Sequence, residues 1–155
     1  MASNAMAATV LLKDIIDGLE MQSDDYLAFL ELETGAVHTV SKEALSAAEA
    51  GEDEDWDGDD EFEIGKRIIR TDGFEDLPTK FDIHEWSIME DFASSVKSER
   101  IGRELMDALH GAGAFRRFKE ALRRRGIEKA WFAFRANALR EIAIEWCEEN
   151  EIKWR

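Results

Sequence analysis

The chain has 155 residues, 45% of them apolar, with five Trp and nine Phe. That length can bury a substantial core, and a disordered chain would carry few aromatics. The formal net charge is −15, so the chain repels itself and is a poor general binder of nucleic acid.

One cysteine, Cys147, excludes an internal disulfide. With nothing that marks secretion, the expected compartment is the cytoplasm. No apolar run approaches the roughly 20 residues that span a bilayer, so no membrane partner is expected. Met1-Ala-Ser-Asn-Ala-Met6 lacks the charged and then apolar order of a signal peptide. Residues 1–5 read as an expression-tag remnant, leaving 6–155 as a single domain.

Leu12, Ile15, Ile16 and Leu19 repeat at helical spacing within Leu11–Met21. Tyr26–Glu33 reads as a strand, Thr34-Gly35 as a turn and Ala36–Val40 as the return strand of a hairpin. Ser41 is a good N-cap for a helix through Ala50, stopped at Gly51.

Nine of the twelve residues from Glu52 to Glu63 are acidic, and this segment reads as a solvated, flexible loop. Helices dominate afterwards. Ile64, Ile68 and Ile69 predict a short helix, and Phe74–Pro78 a connector. Ile83–Val96 reads as a helix with Trp86, Met89 and Phe92 at helical spacing. Ser98 caps the next, with Ile101, Leu105, Ala108 and Leu109 in one stripe before Gly111. Gly113–Arg125 follows, with Phe115, Phe118 and Leu122 inward and Gly126 as its stop. Trp131–Asn150 is the longest, with Phe132, Ala136, Leu139, Ala143 and Trp146 along one face. That spacing marks core packing rather than a cofactor pocket. Ile152-Lys153-Trp154 is expected to pair as a short terminal strand or to dock. The expected fold class is α+β, mostly helical, with a small N-terminal antiparallel hairpin.

Phe74-Glu-Asp-Leu-Pro78, His84-Glu-Trp-Ser-Ile-Met-Glu-Asp-Phe92, Gly111-Ala-Gly-Ala-Phe-Arg-Arg-Phe-Lys119, Trp131-Phe-Ala-Phe134 and Glu145-Trp-Cys-Glu-Glu-Asn150 form a constellation. It resembles the bacterial group called uncharacterised protein family (UPF) number 0158, over Leu11 to Trp154. The resemblance implies a bacterial, cytosolic, single-domain protein. It brings no activity, cofactor or catalytic residue with it.

The strongest chemical signal is the split of charge. Gly111–Arg135 holds eight basic residues against Glu120 and Glu128, a local charge of +6. At about 100° per residue, Arg116, Lys119 and Arg123 line up beside the Phe115–Phe118–Leu122 stripe. The helix opens at Gly111-Ala-Gly113, where free N–H groups and nearby arginines suit a phosphate or carboxylate. The candidate binding residues are therefore Gly113, Arg116, Arg117, Lys119 and Arg123. The competing reading makes the glycines a tight interhelical turn, pairs Glu120 with Arg124 at i, i+4, and leaves the other bases on a solvated face.

Other constellations are weaker. Asp53, Asp55, Asp57 and Gly58 open like a calcium loop, but Asp60 and Ile64 occupy its positions 8 and 12. His84-Glu85 begins like a zinc-protease motif, but Ile88 stands where the second His belongs. His38, His84 and His110 are scattered, no Cys pair accompanies them, and Cys147 has no His near it in sequence. No metal, cofactor or catalytic residue is expected. The leading expectation is a non-catalytic interaction module whose basic helix meets an anionic partner: nucleic acid, a phosphorylated ligand or an acidic protein. The alternatives are a small enzyme assembled from dispersed residues and a purely structural homo-oligomer. The acidic loop at 52–63 is either a solubility tether or a cover that competes for the basic stripe.

Overall fold

The computed structural model describes residues 8–52 and 59–155. The expected tag remnant at 1–5 and the calcium-loop-like Asp53, Asp55, Asp57 and Gly58 lie outside the described residues. The chain groups into two units, one of residues 1–82 with 142–155 and one of 83–141. The fold is α+β and mostly helical, with the expected N-terminal hairpin.

The first unit opens with α1 (Leu12–Met21), which buries Leu12, Ile15, Gly18 and Leu19 at helical spacing. Strand β1 (Tyr26–Glu31) pairs antiparallel with β2 (Val37–Ser41), in the register Leu27↔Val40 and Phe29↔His38. Ala28 and Leu30 are buried, as period-2 alternation requires of a half-buried strand. The Ser41 hydroxyl accepts from the Ala44 N–H at 3.0 Å and starts α2 (Lys42–Ala50), which ends at Gly51.

The acidic segment does not stay a loop to Glu63. Asp59 caps α3 (Asp60–Arg70), its carboxylate accepting from the Phe62 N–H at 2.9 Å. Acids in a first helical turn are favoured by the unpaired N–H groups there. Phe62 is buried with Ala47 and Ala48 of α2, and Glu61 accepts from the Ser41 N–H. Packing and capping thus convert the end of a charge run into helix.

Phe74–Asp76 is not a plain connector but β3, paired with the free edge of β1 through Glu31↔Phe74 and Phe29↔Asp76. The sheet order is β2-β1-β3. Near the other terminus, Val10 and Trp154 form a parallel bridge, so the tail pairs as a minimal strand.

The expected Ile83–Val96 helix is interrupted at its start. Thr79 and Asp82 bond reciprocally, the Thr79 N–H to Asp82 Oδ2 at 3.0 Å and the Asp82 N–H to Thr79 Oγ1 at 3.3 Å. This capping pair closes a separate turn, α4 (Lys80–Ile83). His84 then takes φ +56°, and α5 (Glu85–Ser95) begins after it.

The second unit contains α5, α6 (Glu99–Ala108), α7 (Ala114–Arg125) and α8 (Glu128–Glu149) as far as residue 141. Ser98 caps α6 through the Ile101 N–H. Gly102 lets α6 approach α5, since a Cβ there would stand 2.9 Å from the Ala93 carbonyl oxygen. The core is aromatic: Phe118 meets Trp131 at 5.1 Å between centroids, and Phe92 meets Phe134 at 5.3 Å and Trp131 at 5.5 Å, all tilted or edge-on.

Three inward assignments fail, at Phe115, Phe132 and Ala136. Phe115 is 48% exposed and Phe132 is 60% exposed. Along α8 the buried positions are Trp131 first and then Leu139, Ala143, Trp146 and Cys147. At about 100° per residue these do not form one straight stripe. The buried face turns along the helix, so a stripe projected back from Leu139 misplaces Phe132 and Ala136. In α7, Phe118, Ala121 and Leu122 take the buried arc and leave Phe115 at its margin.

Candidate functional site

The charge split coincides with the division of the chain. Residues 83–141 hold 12 basic and nine acidic side chains, a net +3, while the remainder of the sequence carries −18. Within the positive unit, α7 alone has six basic side chains and one acidic.

Those six bases divide by direction. Arg117, Arg124 and Arg125 serve the fold. The Arg117 guanidinium donates to the carbonyls of His110 and Ala112 and so closes the turn that precedes α7. Gly113, at φ +76°, is the helix N-cap in a backbone region costly for any residue with a Cβ. Its missing Cβ also leaves room for Arg117, whose Nη1 would lie 3.4 Å from that atom. Arg124 and Arg125 both reach Glu104 of α6, at 2.5 and 2.6 Å. These two guanidinium groups, Arg124 first, hold the Glu104 carboxyl below the usual carboxylate value. The expected Glu120–Arg124 pair is therefore absent. Arg124 is drawn to Glu104, and Glu120 stands 3.9 Å from Arg116 instead.

The other three bases face outward. Arg116, Lys119 and Arg123 fall within an arc of roughly 60° on the side of α7 opposite its buried residues. Lys119 is exposed. The Arg116 and Arg123 side chains are 80% and 71% exposed, with only loose contacts to Glu120 and Glu128 at 3.9 and 4.0 Å. Phe115 lies one turn before Lys119, at the margin of this face. Of the five candidate residues, the fold brings Arg116, Lys119 and Arg123 together, and places Gly113 and Arg117 in the turn at the start of the helix.

A second basic feature went unread in the sequence. Arg100, Arg103, Glu104, Asp107 and Arg125 line an open groove of about 580 Å³. Only the α6–α7 packing creates it, since Arg100 and Arg125 are distant in sequence.

The matching family model is the uncharacterised protein family UPF0158, over residues 8–155. The chain belongs to this family. No curated protein and no solved structure matches it. The resemblance carried by Gly111–Lys119 and Trp131–Phe134 thus holds over nearly the whole of this UPF0158 chain.

The acid–base groups of this UPF0158 chain sit elsewhere. Glu31, 7% exposed, is held between His38 Nε2 at 3.0 Å and the Arg67 guanidinium. Arg67 also stacks over the Phe74 ring. The sequence signal for this cluster was slight: an acid ending an apolar strand. Cys147 is fully buried, and burial pushes its thiol up to about 11, which leaves little thiolate for nucleophilic work. His84 Nδ1 bonds Ser87 Oγ at 2.6 Å and His110 Nδ1 lies 2.9 Å from the Met106 carbonyl. Among the described residues, no three His, Cys, Asp or Glu side chains are grouped to hold a metal ion, and no helix is long and apolar enough to cross a membrane.

Proposed function

We propose that this protein is an interaction module that binds an anionic partner on the outer face of α7. One observation carries the reading: Arg116, Lys119 and Arg123 are exposed together on one helix face, while the other three bases of α7 are committed to the turn and to Glu104. A protein that used all its bases for internal pairing would show no such division. Leaving three cations together on one face brings like charges close, with only the loose contacts of Glu120 and Glu128 to offset them. An anion laid against that face relieves the repulsion. Gly113 and Arg117 enter this reading as the support that fixes where α7 begins.

The test is titration with a generic polyanion, inorganic polyphosphate, at about 0.05 M and 0.2 M salt. The expected result is binding that weakens with salt and is abolished by the combined change Arg116→Glu, Lys119→Glu and Arg123→Glu. The same binding by Arg100→Glu/Arg103→Glu separates the α7 face from the neighbouring groove. Affinity unaffected by the triple change would remove the α7 face from consideration.

A further inference from the structure

We infer that the anionic partner of α7 is a single-stranded nucleic acid, held by its backbone on Arg116, Lys119 and Arg123 and by base stacking on Phe115. The inference rests on the anion-binding reading above and adds the identity of the partner. Its first support is spacing. From Arg116 to Arg123 the helix rises about 10.5 Å, and the three cations are distributed along that rise. Such a row fits an extended string of charges better than a single phosphate or carboxylate group.

The second support is the aromatic ring at the end of the row. Phe115 is 48% exposed although Phe118 of the same helix joins the aromatic core of the unit with Phe92 and Trp131. By helical geometry it is the i, i+4 neighbour of Lys119. A basic track beside an accessible aromatic face is how single strands are held without reading their sequence. An acidic protein segment would use the cations and leave the ring idle.

The charge of the whole chain, −15, bears only on the choice between single strand and duplex. It disfavours every polyanion, and disfavours a duplex most, because a duplex carries one charge per about 1.7 Å and hides its base faces within the stack. A single strand has a lower charge density and offers bases that compensate the repulsion by stacking.

The experiment is fluorescence anisotropy on the full chain with an oligouridine of about ten nucleotides, a duplex of the same length, and inorganic polyphosphate of equal charge. The oligouridine is expected to bind about tenfold more tightly than polyphosphate, the effect of one stacked base. Its log K is expected to fall with log salt at a slope of about −2, from three cations at about −0.7 each. Changing Arg116, Lys119 and Arg123 together to Gln should flatten the slope. Phe115→Leu should lower oligouridine affinity about tenfold without altering the slope, because it keeps apolar bulk but loses the ring face, and Phe115→Trp should restore it.

Equal binding of polyphosphate and oligouridine overturns the nucleic-acid assignment and leaves the anion-binding reading standing. Tighter binding of the duplex, or wild-type affinity in Phe115→Leu, also overturns the assignment. Binding of neither polyphosphate nor oligouridine overturns both. Circular dichroism of each variant distinguishes a lost contact from a lost fold.

Discussion

The Glu31 carboxylate at the end of β1 lies 3.0 Å from the His38 ring nitrogen Nε2 on β2. Register alone does not make this pair, since His38 stands opposite Phe29. The side chains meet diagonally across the two strands, and Arg67 of α3 takes the second carboxylate oxygen.

This arrangement predicts an acid limb in stability. The hydrogen bond from His38, and then that from Arg67, holds the Glu31 carboxyl below its ordinary value of 4.5, against the opposing effect of burial. A carboxylate depressed in the folded state contributes fully above the unfolded value. Its contribution is lost as pH falls below about 4.5 and through the lower folded pKa. Glu31→Gln should cost about 1–3 kcal/mol at neutral pH. In urea titrations from pH 6 to pH 3, the gap between wild type and variant should narrow as the pH falls. A constant gap would show that the ionised carboxylate is not what matters.

Phe118 and Trp146 are buried as their spacing implies, at 0% and 8% exposure. Replacing either by Ala should destabilise by about 3–5 kcal/mol through lost burial and the cavity left behind. Phe115→Ala, at the margin of the same helix, should cost less than about 1 kcal/mol. Denaturant midpoints at constant slope measure all three.

The bases of α7 should separate into two classes. Arg117→Ala removes the guanidinium that donates to His110 and Ala112, and should cost about 1–3 kcal/mol. Arg123→Ala leaves an exposed, loosely paired position and should stay within about 0.5 kcal/mol of wild type. Melting curves that rank the two in the opposite order would contradict this division of labour.

Gly102→Ala should be more damaging than an ordinary helical Gly→Ala change, which usually stabilises. The added Cβ would meet the Ala93 backbone oxygen at 2.9 Å, and backbone cannot swing aside as a side chain can. The expected loss is about 1–3 kcal/mol, read from thermal or urea unfolding.

Cys147 should resist alkylation in the native state. Its thiol is buried and raised to about 11, so iodoacetamide at pH 8 should label it slowly, and rapidly once urea unfolds the chain. Fast native labelling, followed by mass, would indicate that α8 opens near its end.

Local chemistry was readable without coordinates. Ser41 and Ser98 begin α2 and α6 because a hydroxyl satisfies an N–H group three residues on, and Gly51 and Gly126 end α2 and α7 in the left-handed region. The hairpin from Tyr26 to Ser41, the burial of Phe118 and the basic character of α7 follow from patterns within a few residues. So does the family, through the blocks from Phe74 onward.

Whatever depended on a distant partner was decided by the tertiary structure. Phe74–Asp76 is a strand only because the second edge of β1 is free to pair with it. Arg124 leaves Glu120 because Glu104, 20 residues earlier, offers a carboxylate that also takes Arg125. That choice separates the structural arginines from the exposed row of Arg116, Lys119 and Arg123. The six bases of α7 look alike in sequence, since each carries the same kind of charge on the same helix. What distinguishes them is which neighbour each meets, and packing supplies those neighbours.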